Sequence, residues 1–222
     1  MAHARENTLE AFSLATDLGA TGLESDVWTT SDGVPVLHHD ASFGPFYRRR
    51  PIRRVAQNSL PTHIPTLDAL YRTVGAHYQV SLDVGTPEDV AQIVAVTNRH
   101  LGAPERLWLC HRDWETVAAW REIDQRIRLV DSTRLERISE GPERRAARLS
   151  AAGIDAINLH ESDWSSGLAT LFHRFGLKCL GWDAQHTRQI DHLLNIGIDG
   201  LYSDHVDRMV VRLQAVEPPR GA

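Results

Sequence analysis

TGLESDVWTTSDGVPVLHHD, residues 21–40, starts as a β-forming run with Glu24 and Asp26 two apart, turns at Ser31-Asp32-Gly33, and returns through VPVLHH to Asp40. Side chains two apart on a strand leave on the same face, so the two carboxylates share one side while Ser25 and Val27 take the other. A Ser-Asp-Gly turn between two β-like runs predicts a β-hairpin over residues 24–40. That hairpin carries His38, His39 and Asp40 back toward the carboxylates.

Outward from this stretch, short apolar runs alternate with amphipathic stretches of helical period, the pattern of repeated β-α units around parallel strands. Strands are predicted at 21–27, 77–84, 106–111, 127–131, 155–160, 178–183 and 199–204. Seven such strands are one short of a closed eight-stranded barrel. The first helix shows the stripe Leu9, Phe12, Ala15 and Leu18, with Asn7 and Glu10 reading as a capping box before it and Gly19 as its stop. Further helices are predicted at about 66–74, 87–101, 113–122, 142–152, 166–175 and 186–196.

The chain has 222 residues, 42% of them hydrophobic, and no long polar tract, which predicts one domain over 1–222 with a sizeable core and a disordered tail at 215–222. A net charge of −5 makes no case for nucleic acid as a partner. No run approaches the roughly 18 apolar residues of a membrane span, and no leader is visible, so a cytoplasmic location is expected. Cys110 and Cys179 sit inside apolar runs without metal-ligand spacing and read as buried free thiols rather than a disulfide.

In β-α barrels the loops after the strands surround one shared mouth. Glu24 and Asp26 near that mouth are a candidate site for a divalent cation; the bland alternative is a pair of surface acids, or acids bridged to arginines. A histidine there suits proton transfer near neutral pH, although the chain has twelve histidines, and His38 and His39 read equally as exposed loop residues.

Residues 6–40, ENTLEAFSLATDLGATGLESDVWTTSDGVPVLHHD, resemble the N-terminal part of glycerophosphodiester phosphodiesterases, with E-N-T, E-x-D, D-G and H-D in that family's order and spacing. IPTLDALY (64–71) and GLKCLGWDAQHTRQIDHLLNIGIDGLYSD (176–204) resemble later family segments. The resemblance implies a TIM (β/α)8-type barrel and metal-dependent hydrolysis of a glycerophosphodiester to glycerol 3-phosphate and an alcohol, a reaction of lipid and glycerol metabolism. It implies Glu24, Asp26 and Asp83 as ligands of Mg2+ or Ca2+, and His39 as one of two acid/base histidines. Glu6 in the E-N-T motif and Trp182 on a late strand are implied near the glycerophosphodiester. His111 and His160, at strand ends, are further candidates to line the pocket, whereas Trp164 reads as packing.

Two departures bear on activity. Where the family has Glu-x-Lys, this chain reads Asp83-Val84-Gly85, and the lost lysine removes a cation that would face phosphate. Arginines of FYRRRPIRR (46–54) could supply part of that charge, or form a solvated basic loop. The family's first strand ends in His-Arg-Gly about ten residues before E-N-T, and His3 does not match that histidine. The expectation is a barrel lacking its first strand, either because the start codon lies upstream or because the chain is a shortened paralogue. In the second case it is a catalytically silent phosphate-ester binding protein of the same fold. A phospholipase acting on lipid head groups is weaker, as no apolar membrane-docking stretch stands out. The alcohol and the oligomeric state stay open.

Overall fold

The hairpin forms as its sequence predicts. In the computed structural model, which describes residues 3–216, β1 (Gly22–Thr29) pairs antiparallel with β2 (Pro35–Leu37), matching Val27 with Leu37 and Thr29 with Pro35. The His38 amide continues the ladder by donating to the Asp26 carbonyl at 3.1 Å. Beyond it, β3 (Ser42–Phe43) and β4 (Arg50–Pro51) form a second small antiparallel pair.

Six more strands follow: β5 (Gln79–Val84), β6 (Leu107–His111), β7 (Arg128–Ser132), β8 (Ala156–His160), β9 (Lys178–Trp182) and β10 (Gly200–Leu201). They join β1 in one curled sheet of order β10-β9-β8-β7-β6-β5-β1-β2, in which every neighbouring pair except β1 and β2 is parallel. Each of the seven strands read from the sequence is therefore present, and the architecture is a TIM-barrel-type β/α fold. Among the described residues the ladder does not close, because β1 and β10 do not pair. β2 covers only the C-terminal end of the free edge of β1, so a seam runs between the lower part of β1 and β10.

Helices α1 (Leu9–Asp17), α2 (Leu67–Val74), α3 (Val90–Thr97), α4 (Trp114–Ala119), α5 (Pro142–Ala151), α6 (Ser166–Arg174) and α7 (Thr187–Asn195) occupy the seven predicted stretches. Burial of Phe12, Ala15, Leu70, Ile93, Leu149, Phe172 and Leu193 against the outer faces of the strands makes one continuous core and supplies most of the drive to fold. A smaller core of Val36, Phe43, Ile52, Val55 and Ile64 holds the segment after the hairpin. Trp164 is buried with its indole N–H on the Leu180 carbonyl at 2.9 Å, and both cysteines are buried and free.

Three features differ from expectation. Thr8, not Asn7, caps α1: its Oγ1 accepts from the Ala11 amide at 3.2 Å. Asn7 has a positive φ of 53° and accepts the Ser25 hydroxyl at 2.6 Å, tying the E-N-T loop to β1. An additional helix, α8 (Val206–Val216), follows β10 and packs on α7. It reaches across the seam, where Val210 lies against Gly19. Ala215 and Val216 are thus helical, and the rest of the tail expected at 215–222 lies outside the described residues.

Candidate active site

Alternation along β1 turns Leu23, Ser25 and Val27 toward the helices and Glu24, Asp26 and Trp28 to the barrel side. The parallel register sets Asp26 beside Asp83 of β5 and Glu24 beside Ser81. All three carboxylates line a cavity of about 1060 Å3 that Glu6, His39 and Trp182 also line. None of the three forms a salt bridge among the described residues. Glu24 contacts the solvent of the cavity yet is surrounded by the barrel, and its carboxyl is held well above the usual range by burial, then by Asp83, Asp26, Asp204 and Glu6. Burial, with the neighbouring Asp83, pushes Asp26 up to about 7 against the pull of His39. Burial alone takes Asp83 to about 6. Three hard-oxygen donors that repel one another and hold no cationic side chain are chemically suited to a divalent cation. They stand wider apart than a closed ligand set: the one His/Cys/Asp/Glu triad within 4.8 Å among the described residues is His173, Cys179 and Asp199. There Asp199 is already satisfied by His173 at 2.8 Å and by the Cys179 amide at 2.8 Å.

His39 reaches the mouth as the hairpin predicts. Its Nδ1 lies 3.2 Å from Asp40 Oδ1, and Asp40 is gripped in turn by Arg49. With Nδ1 engaged by a carboxylate, Nε2 is the ring atom free to exchange a proton. His38 is engaged with the Asp40 carbonyl at 2.9 Å, and His3 binds Asp207 at 3.2 Å.

The remaining candidates divide. Trp182 lines the cavity, and His160 packs edge-on against it at 4.5 Å while bonding Asp183 at 3.2 Å, so His160 supports the wall rather than lining it. His111 is not among the lining residues: its Nδ1 accepts the Asp113 amide at 3.1 Å and its ring faces Trp120. None of the arginines of 46–54 lines the cavity, which corrects the expectation that they could meet a phosphate there. Arg134, unmarked in the sequence, does line it. Its guanidinium forks onto Asp163 at 2.7 and 3.1 Å and stands 5.8 Å from the Trp182 ring.

The gap left at Gly85 is filled. A Cβ there would lie 2.3 Å from Cζ3 of Trp28, whose indole N–H donates to the His38 carbonyl at 2.8 Å. The tryptophan thus occupies the space into which a side chain at position 85 would start.

A β/α barrel with an acid-lined mouth and a hairpin-borne histidine is the class that fold and site define. The sequence pattern of the Glycerophosphoryl diester phosphodiesterase family matches residues 1–57. Glycerophosphodiester phosphodiesterase 1 of Rattus norvegicus is 31% identical over 145 residues, 56% of this chain and 44% of the rat protein, so the match spans less than half of that relative. A phosphodiesterase of Oleispira antarctica, solved with the product sn-glycerol-3-phosphate, superposes with a TM-score of 0.83 at 19% identity, covering 96% of this chain and 93% of that one. A glycerophosphodiester phosphodiesterase of Thermotoga maritima superposes at 0.80 with 20% identity, covering 96% and 93%. The chain is thus similar to glycerophosphodiester phosphodiesterases in sequence over residues 1–57 and in fold over nearly its whole length.

Proposed function

We propose that this barrel hydrolyses a glycerophosphodiester to glycerol 3-phosphate and an alcohol with the help of a divalent cation, Mg2+ or Ca2+. The observation that carries the reading is the meeting of Glu24, Asp26 and Asp83 with His39 in one cavity. The three carboxylates would hold the ion; when bound, it supplies Lewis-acid stabilisation of charge on the phosphoryl oxygens. His39, oriented by Asp40 through Nδ1, moves a proton at Nε2 to or from the attacking or leaving oxygen. Trp182 offers an apolar wall to the glycerol carbons, Glu6 a carboxylate for its hydroxyls, and Arg134 a cation for the phosphate in place of the absent lysine. Two free, buried thiols support a cytoplasmic setting.

A second reading, a silent phosphate-ester binding protein, is favoured by Gly85 and Trp28, which leave no room for the family's lysine. One experiment separates the two. Release of glycerol 3-phosphate from glycerophosphocholine should require divalent cation and fall about a hundredfold in His39→Ala with ligand binding retained. Ligand binding by the wild type without any turnover in either ion would establish the silent protein instead.

A further inference from the structure

We propose that the hairpin tip at residues 44–50 docks the mouth of the barrel onto an anionic phospholipid surface. Phe46 and Tyr47 are 96% and 85% exposed side by side, whereas the other exposed large hydrophobics, Leu101, Ile123 and Val211, are scattered along the chain. Burial in water would have covered such a pair if a core were within reach, so its exposure marks a contact surface. Around it, residues 41–67 hold five arginines and no acid, in a chain of net charge −5. Asp40 engages Arg49, and Arg50 lies over the Phe43 ring at 5.6 Å. Arg48, Arg53 and Arg54 make no salt bridge among the described residues and are exposed.

The tip is presented rather than trailing. β3 and β4 form its stem, pairing Ser42 with Pro51 and Phe43 with Arg50. Phe43, Ile52 and Val55 are buried beneath it. At the tip the Arg48 amide donates to the Pro45 carbonyl at 2.8 Å, and Gly44 takes the turn at a φ of 99°. The Arg49 to Asp40 pair fastens this hairpin to the residue next to His39, so a surface touching the tip lies beside the cavity mouth.

Aromatic rings settle at the lipid–water boundary, and arginines draw in anionic headgroups; each alone binds weakly and together they anchor. A long polyanion such as nucleic acid fits less well, since these arginines span only the short stretch 48–54 while the neighbouring cavity presents Glu24, Asp26 and Asp83. The inference stands apart from the hydrolase reading, because it concerns where the mouth sits and not what happens inside it.

Flotation of the full chain with vesicles tests it without any turnover. The wild type should bind vesicles of phosphatidylcholine and phosphatidylglycerol in equal parts, and bind pure phosphatidylcholine about tenfold less or worse. Phe46→Ser with Tyr47→Ser, and separately Arg48→Gln with Arg53→Gln, should each lower binding to the anionic vesicles by about tenfold at unchanged melting temperature. Failure of the wild type to float with anionic vesicles overturns the proposal. So does an aromatic double variant that binds as well as wild type, or release by inorganic phosphate or by a DNA duplex at an ionic strength where chloride has no effect.

Discussion

Alanine at position 85 is the smallest change that tests how the mouth is built. Its Cβ would stand 2.3 Å from Cζ3 of Trp28 and 2.5 Å from Cε3 and Cη2, where carbon atoms rest at roughly 3.5–4.0 Å. Neither side gives way cheaply. The Gly85 amide is fixed by the Val27 carbonyl at 3.1 Å, and the indole is fixed by its bond to the His38 carbonyl. Forced overpacking of this kind costs about 1–3 kcal/mol. In a domain of this size that lowers Tm by roughly 2–12 °C. Gly85→Lys begins with the same clash and should fare no better, so the lysine cannot be restored by one substitution. Trp28→Ala will destabilise by itself, through lost packing, but it clears the space, so Gly85→Ala should cost almost nothing in that background. Urea unfolding of the four proteins in the cycle gives the coupling, expected at about 1–3 kcal/mol. Gly85→Ala melting with the wild type, or carrying the same cost with Trp28→Ala as without it, would refute the assignment of Trp28 as the occupant of that space.

Three further outcomes are expected. Glu24→Gln should abolish the rise in Tm produced by Mg2+ or Ca2+ while leaving the chelated protein almost unchanged, as differential scanning with and without EDTA will show; an undiminished rise removes the carboxylate cluster as the ion site. In EDTA the carboxyls of Asp26 and Asp83, at about 7 and about 6 against an ordinary 3.8, keep protons that the unfolded chain releases. Stability present below pH ~4 should therefore fall as pH rises toward 7, and the fall should flatten when divalent ion is added; a Tm independent of pH in EDTA would contradict this. Arg134→Ala should raise KM for a glycerophosphodiester on the order of tenfold with a smaller change in kcat, and an unaltered KM in steady-state assays would return Arg134 to a purely structural ion pair with Asp163.

The strands and the carboxylate pair were legible because both are local. Period-two alternation puts Glu24 and Asp26 on one face whatever the rest of the chain does, and Ser31-Asp32-Gly33 turns the hairpin by its own chemistry. The cap of α1 misled because Asn7 and Thr8 are both good capping residues; what decides between them is the Ser25 hydroxyl, 18 positions away, which claims Asn7. Arg134 could not be singled out among 24 basic residues, since its place in the cavity wall depends on a fork with Asp163 from the next β-α connection. The contact of Trp28 with Gly85 joins positions far apart in sequence and exists only because the register sets Val27 beside Val84. α8 has an apolar stripe of its own in Val206, Met209, Val210 and Leu213, but Ser203 and Asp204 before it read as the end of the last strand rather than as the start of a helix.

A closed barrel is a hoop, and its stiffness comes from having no end: widening it at one place strains hydrogen bonds all the way round. The sheet described here is a split hoop, with β1 and β10 as its two lips and α8 as an outside strap touching Gly19. Spreading at the split would break none of the six parallel pairings opposite it. Glu24 and Asp26 sit on one lip and Asp83 on the next strand behind it. The carboxylate cluster therefore sits on a single lip, its spacing set by the pairing of β1 with β5 rather than by anything across the split.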